Sequence, residues 1–167
     1  MSTLLVVSAS KHGSTDEIAR AIGDEVAKHG VEVRVVDVSD VPDPIDFDGY
    51  VIGSAVYAGR WVGELRRFVE AHRPVLSTHP LWLFSSGPLG DGQTGEEPAE
   101  VAEFAASLGA IDHRVFEGRL MRDELSLFER AAVRFVHAPY GDFRHWDEIQ
   151  EWAAGVAEAV KADVPAR

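Results

Sequence analysis

The sequence predicts an α/β protein with a doubly wound, parallel sheet of about five strands and helices on both of its faces. Short apolar runs rich in Val, Ile and Leu alternate along the chain with amphipathic stretches of helical periodicity. The first of these runs, Thr3–Ser8, is continuously apolar, as strands buried on both faces are. Strict alternation of strand and helix gives parallel strands joined by right-handed crossovers.

The first half of the chain supplies three strands and two helices. The strand candidates are Thr3–Ser8, Val31–Val38 and Gly49–Val56. A helix is predicted over Ser14–His29, with Gly30 as its stop. A second helix is predicted over Val62–His72, where Pro74 is expected to end it.

The second half repeats the pattern with two long connections. The expected elements are a strand at Leu81–Ser85, a helix at Pro98–Leu108, a strand at Asp112–Phe116 and a last helix marked by Ile149, Trp152, Ala153, Val156 and Val160. Gly87–Glu97 is a Gly-rich loop where about 2–6 residues would suffice. Gly118–His145, here called the insert, separates the last strand from the last helix and contains an amphipathic stretch of Leu125, Phe128, Ala132 and Phe135.

Composition excludes several classes of protein. The 167 residues, 46% of them hydrophobic and 26% charged, suit a single globular domain over 1–167. The absence of cysteine excludes disulfide frameworks and cysteine-ligated metal sites. A net charge of −12 disfavours binding to nucleic acid. No run of residues has the length of a membrane span and no secretion signal is visible, so a cytoplasmic protein is expected.

The loop after the first strand is a candidate anion site. Ser8–Thr15 leads from a buried strand into a helix, and it combines small hydroxyl residues with one glycine. Because a helix N-terminus offers free N–H groups and a positive dipole end, this loop suits a phosphate group. Lys11 and His12 are expected either to help neutralise the anion or to point into water. A simple capping box formed by Ser14 and Glu17 is the alternative that needs no ligand.

Other motifs carry less weight. Gly90–Gly95 matches G-x-G-x-x-G, but the strand at Leu81–Ser85 ends too early for a nicotinamide-dinucleotide fold. The Walker lysine pattern and a G-x-S-x-G elbow are missing, which disfavours a nucleotide triphosphatase and a serine hydrolase. The seven histidines show no metal-ligand spacing, and we predict neither a metal site nor a catalytic acid or base.

The loop after the third strand is rich in aromatic residues. In Ser54–Trp61, Tyr57 and Trp61 flank Gly59 at a strand's carboxyl end, which suits stacking on a planar ligand. The alternative is that both aromatic side chains cap the core.

These loops, taken in order, resemble those of the flavodoxin family. Ser10–Thr15 is similar to the family's FMN-phosphate loop, and Ser54–Trp61 and Ser86–Gly92 resemble the two loops that hold the flavin ring. The resemblance extends to the subgroup that contains menaquinone-dependent protoporphyrinogen IX dehydrogenase. It rests there on Val51–Ala55, Phe68-Val69, Phe116–Gly118 and Asp142…Trp146-Asp147, together with the insert before the last helix.

The resemblance implies strand order 2-1-3-4-5 and a bound FMN. Ser10, His12, Gly13, Ser14 and Thr15 would hold the phosphate, and the two later loops would enclose the ring. The full set of implied cofactor-binding residues is Ser10, Lys11, His12, Gly13, Ser14, Thr15, Ser54, Ala55, Val56, Tyr57, Ala58, Gly59, Trp61, Ser86, Gly87, Pro88, Leu89, Gly90, Asp91 and Gly92.

Three functions remain open at this point. They are an electron carrier that serves a partner protein, a quinone-coupled dehydrogenase of the protoporphyrinogen IX oxidase type, and a flavin-free binding module. The insert has five arginines against four acidic residues in an otherwise acidic chain. It is expected to face a redox partner or substrate, because it follows the same sheet edge as the flavin loops. The alternative is a satellite helix that only covers the core.

Overall fold

The five long strands form the predicted parallel sheet. The computed structural model describes residues 1–43, 45–57, 59–87, 99–136 and 140–163, with the backbone alone at 135 and 136. The strands are β1 (Thr3–Ala9), β2 (Glu32–Asp37), β3 (Gly49–Tyr57), β4 (Arg60–Trp61), β5 (Leu81–Gly87), β6 (Asp112–Glu117), β7 (Arg119–Leu120) and β8 (Gly141–Asp142). The order β2-β1-β3-β5-β6 confirms the order predicted for the long strands.

Three short strands were not predicted. β4 pairs antiparallel with β3, matching Val56 with Trp61. β7 and β8 form a small antiparallel ribbon that joins the two ends of the insert, matching Arg119 with Asp142. These pairings turn the chain back beside the carboxyl ends of the long strands.

The helices cover both faces of the sheet. They are α1 (Ser14–Lys28), α2 (Gly63–Leu76), α3 (Ala99–Ser107), α4 (Leu127–Val136) and α5 (Trp146–Asp163). Leu4 and Val6 of β1 pack with α1 and α5, whereas Leu5 and Val7 pack with α2 and α3. Because successive side chains of a strand point to opposite faces, an uninterrupted apolar strand serves both cores.

The expected end of α2 is wrong. The helix continues through Pro74 to Leu76, and Ser77 then donates its backbone N–H to the Arg73 carbonyl, 2.9 Å away. A proline inside a helix removes one backbone hydrogen bond and costs about 3 kcal/mol. Leu76 is fully buried in the core between the sheet and α2. Burial of this side chain offsets much of the cost of the proline. The expectation that Pro74 ends the helix considered only local sequence and not this burial.

Candidate functional site

A cavity of about 340 Å³ lies at the carboxyl end of the sheet. Its walls come from the loop after β1, the start of α1, the ends of β3 and β5, and the insert. The lining residues are Ser10, Lys11, His12, Ser14, Thr15, Ala55, Val56, Tyr57, Ser86, Gly87, Gly118, Arg119, Leu120, Leu125, Glu129, Ala132 and Val133. This is the edge where open α/β sheets bind their ligands, and the volume lies within the usual range for small-molecule sites.

The loop after β1 presents hydrogen-bond donors to this cavity. Gly13 turns the chain into α1 with φ = 82°, a left-handed conformation that favours glycine. Its N–H donates to Ser10 Oγ at 3.0 Å, and its carbonyl accepts the first helical bond, from the Glu17 N–H at 3.0 Å. The N–H groups between these two residues therefore have no partner within the helix.

The capping-box alternative for this loop is wrong. No side chain caps α1, because Ser14 is already inside the helix. Ser14 Oγ instead accepts a hydrogen bond from the Arg119 backbone N–H at 3.1 Å, and Glu17 forms ion pairs with arginines of the insert. The hydroxyl of Ser14 therefore keeps its own proton available to a ligand.

Two basic side chains lie beside these donors. Lys11 Nζ lies 4.5 Å from the centre of the Tyr57 ring, and His12 Nε2 lies 3.0 Å from Glu129 Oε1. Burial raises the pKa of Tyr57, so its phenol is neutral at physiological pH. The site thus combines positive charge and an aromatic ring in a chain whose net charge is −12.

The insert supplies the cavity wall that the motifs did not predict. Its lining residues are Gly118, Arg119, Leu120, Leu125, Glu129, Ala132 and Val133, none of which was among the predicted cofactor residues. Leu125 and Ala132 belonged to the predicted amphipathic stretch, which was the available signal. Phe128 of that stretch lies in the first turn of α4 and is 90% exposed, and the side chain of Phe135 is outside the described residues.

A network of ion pairs fastens the insert to α1. Arg144, only 5% exposed, pairs with Asp142 at 2.6 Å and with Glu17. Hydrogen bonds and charge from these carboxylates raise the pKa of Arg144, and Arg144 in turn lowers the pKa of Glu17. Arg119 pairs with Glu17 and with Glu124, at 3.3 and 2.8 Å. These two arginines of the insert therefore hold structure together and are not free to bind a partner.

Three other arginines of the insert have no acidic partner among the described residues. They are Arg122, Arg130 and Arg134, which line an open groove with Leu127 and Tyr140. Leu127 and Tyr140 are 80% and 44% exposed. This groove, which includes Arg122 and Tyr140 on either side of the helix, is here called the outer face of α4. It combines positive charge with apolar surface.

Several predicted residues lie elsewhere. Trp61 is 4% exposed, donates to Ser85 Oγ at 2.8 Å and packs edge-on against Phe104, so it caps the core. Ser54 is buried, donating to the Ala55 carbonyl and accepting from the Val62 N–H. Gly13 and Gly59 shape turns with positive φ. Ala58 and the residues Pro88, Leu89, Gly90, Asp91 and Gly92 lie outside the described residues, as does the Gly90–Gly95 motif.

Comparison with known proteins identifies the family. Residues 5–145 match the family profile described as "Flavodoxin domain". The chain belongs to the flavodoxin family. It is thus an FMN flavoprotein with a redox function, as the resemblance implied. Among the described residues, no helix is both long and apolar enough to cross a bilayer.

Solved flavodoxins share its fold at low sequence identity. A flavodoxin from the domain Archaea superposes with a TM-score of 0.63 at 19% identity, covering 95% of this chain and 99% of that one. Oxidised flavodoxin 1 from Bacillus cereus gives a TM-score of 0.63 at 16% identity, covering 94% of this chain and 98% of that one.

A curated relative gives a partial sequence match. Protoporphyrinogen IX dehydrogenase [quinone] of Escherichia coli K12 is 29% identical over 87 residues, which is 51% of this chain and 48% of the relative. The matched segment thus spans about half the length of that relative.

The residues present fit the family's cofactor. The cavity offers hydroxyls at Ser10, Ser14 and Thr15, the free N–H groups of α1, and the basic side chains of Lys11 and His12. Such donors match a phosphate dianion, and Tyr57 offers a flat surface for an aromatic ring system.

Proposed function

We propose that this flavodoxin-family protein holds one FMN non-covalently in the cavity and exchanges one or two electrons with a protein partner. The observation that carries this proposal is the loop of Ser10–Thr15, whose hydroxyls and free N–H groups border the cavity beside the basic side chains of Lys11 and His12. When bound, the flavin supplies the redox chemistry, and the protein positions it and sets its electrostatic surroundings.

The residues around the cavity divide this work. Ser10, Ser14 and Thr15 would donate hydrogen bonds to the phosphate, with Lys11 and His12 balancing its charge. Tyr57 and the backbone at Ala55 and Gly87 would border the ring, since these residues end the neighbouring strands β3 and β5. The apolar side chains Leu120 and Leu125, both 8% exposed, would exclude water from one side.

A binding titration tests this assignment. The purified protein should show flavin absorption bands or acquire them on reconstitution with FMN, and the flavin's fluorescence should change on binding. The stoichiometry should be one FMN per chain. A preparation that neither carries nor binds FMN would contradict the proposal and favour a flavin-free binding module.

The partner would dock on the outer face of α4. Arg122, Arg130 and Arg134 have no acidic partners among the described residues, and exposed apolar side chains lie between them. Arginine binds carboxylates through its planar fork, so this face suits an acidic partner. Its helix also forms one wall of the cavity, which brings such a partner close to the flavin.

The E. coli relative supports a second candidate, a quinone-coupled dehydrogenase. Cytochrome reduction with a flavodoxin reductase tests the electron-carrier function, and turnover of protoporphyrinogen with a quinone tests the dehydrogenase. If the protein turns over protoporphyrinogen repeatedly and does not reduce the cytochrome, it is a dehydrogenase that uses the same cavity and not an electron carrier.

A further inference from the structure

The N-terminal turn of α4 meets the phosphate loop through one contact. Glu129 Oε1 lies 3.0 Å from His12 Nε2, joining residues 117 positions apart. Both side chains line the cavity. The carboxylate is thus placed against a side chain that the proposed function assigns to the flavin phosphate.

Local bonds keep this carboxylate charged and in place. Glu129 Oε2 accepts the Ser126 N–H at 2.8 Å, and Ser126 Oγ accepts the Glu129 N–H at 3.2 Å. This reciprocal pair is a capping box that starts α4. Together with His12 it lowers the pKa of Glu129 to about 2, so the side chain is an anion at physiological pH.

The described side chains of the helix that carries Glu129, at 127–134, are loosely packed. None of its described side chains is buried: Leu127 and Phe128 are 80% and 90% exposed, and Val133 is only half-buried. By contrast, α5 buries Ile149, Trp152 and Val156 against the sheet. Segments with few buried apolar contacts are those that open at low free-energy cost.

We propose that α4 is a lid on the flavin site, held shut by the contact of Glu129 with His12, and that the flavin phosphate displaces Glu129 from His12 as it binds. Phosphate and carboxylate are both anions that accept hydrogen bonds from the same ring nitrogen, so they compete for it. The inference rests on the proposed function, because it assigns the phosphate to this loop.

Glu129→Gln tests the competition. Glutamine also serves in a capping box, so α4 is kept while the negative charge is lost. We expect the variant to bind FMN about two- to fivefold more tightly, the range that corresponds to one partly exposed ion pair, with the gain in the association rate. Riboflavin, which has no phosphate to compete with Glu129 for His12, should gain less affinity, because only the freer opening of the lid affects it. Asp123→Asn is the matched control, since it removes one exposed negative charge from the same insert without touching His12.

A double-mutant cycle shows whether the effect acts through His12. In a His12→Gln background, which removes the imidazole but retains a hydrogen-bonding side chain, Glu129→Gln should change FMN affinity by much less. Hydrogen exchange in the ligand-free protein supplies a second readout, because loss of the contact should speed exchange of the α4 amides.

The outcomes separate this inference from the proposed function. If the wild-type protein binds FMN and Glu129→Gln leaves its affinity and association rate unchanged, the lid is overturned while the flavin site stands. An equal gain for riboflavin, or an equal gain in Asp123→Asn, also overturns it. If the wild-type protein binds no FMN, both proposals fail together.

Discussion

Thr15 shows how much a single hydroxyl in the phosphate loop should contribute. It is 1% exposed, lies in the first turn of α1 and lines the cavity. A hydrogen bond to a charged group contributes roughly 1.5–3 kcal/mol. Thr15→Ala should therefore weaken FMN binding by about one to two decades in a fluorescence titration, while Thr15→Ser should retain most of the affinity. Riboflavin serves as the ligand control, and equal losses for both ligands would place the phosphate elsewhere.

His113 makes stability depend on pH. Its Nε2 lies 2.9 Å from Ser85 Oγ, which also accepts the indole N–H of Trp61. Burial lowers the pKa of His113 to about 4, against 6.5 for an ordinary histidine, although Asp112 acts in the opposite direction. Between these two pH values the unfolded chain binds more protons than the folded one. Stability is thus complete above pH 6.5 and falls as the pH drops toward 4.

Unfolding by urea at several pH values measures this dependence. The slope from His113 is at most about 1.4 kcal/mol per pH unit, and the partial exposure of the ring reduces it. His113→Gln should flatten the curve between pH 4 and 6.5. A wild-type curve that is already flat over this range would contradict the assignment.

Among the elements, the pairing of β3 with β5 depends on a glycine. Gly53 lies opposite Phe84, and a Cβ at position 53 would come within 2.0 Å of the Phe84 ring. That ring is fully buried, so it cannot move away without disturbing the core. Gly53→Ala should destabilise the protein by about 1–3 kcal/mol, the usual cost of overpacking, in equilibrium urea unfolding.

A glycine in α5 provides the opposite control. A Cβ at Gly155 would meet nothing within 4 Å. The residue is exposed and lies away from both ends of α5. Gly155→Ala should therefore stabilise the protein by about 0.5–1 kcal/mol, the difference in helix preference between the two residues. Equal stability of the two variants would show that Phe84 does not pack across Gly53.

At the scale of the whole molecule, the outer face of α4 should steer the partner. Replacing Arg122, Arg130 and Arg134 with Gln should leave FMN affinity and melting temperature nearly unchanged, because surface substitutions usually change stability by less than about 0.5 kcal/mol. Electron transfer to an acidic protein acceptor should slow by roughly tenfold at low ionic strength and lose most of its salt dependence.

The control for this variant removes the same charge elsewhere. Arg20, Arg34 and Arg67 are exposed on α1, β2 and α2, and none has an acidic partner among the described residues. Replacing these three with Gln should change the transfer rate far less than the α4 variant does. If both triple variants behave alike, net charge alone governs the encounter, and the docking face on α4 is contradicted.

Local patterns in the sequence were enough to predict the sheet and the position of the strand-to-helix loop at Ser10–Thr15. The uninterrupted apolar run of Leu4–Val7 requires burial on both faces, which fixes a layered α/β fold with parallel strands. The loop of Ser10–Thr15 joins a strand to a helix within a few residues, so its donors and their direction follow from neighbouring positions.

Contacts between distant residues were decided only by the tertiary structure. The side chain of Trp61 points into the core, where Ser85, 24 positions away, accepts its N–H. Helix α2 continues beyond Pro74 because burial of Leu76 offsets the lost backbone hydrogen bond. Arg119 and Arg144 fold the insert back onto Glu17, which makes α4 a wall of the cavity and brings Glu129 to His12. The periodicity of a segment predicts which of its faces is apolar. The part of the protein that this face packs against depends on charges and side chains more than a hundred residues away in the chain.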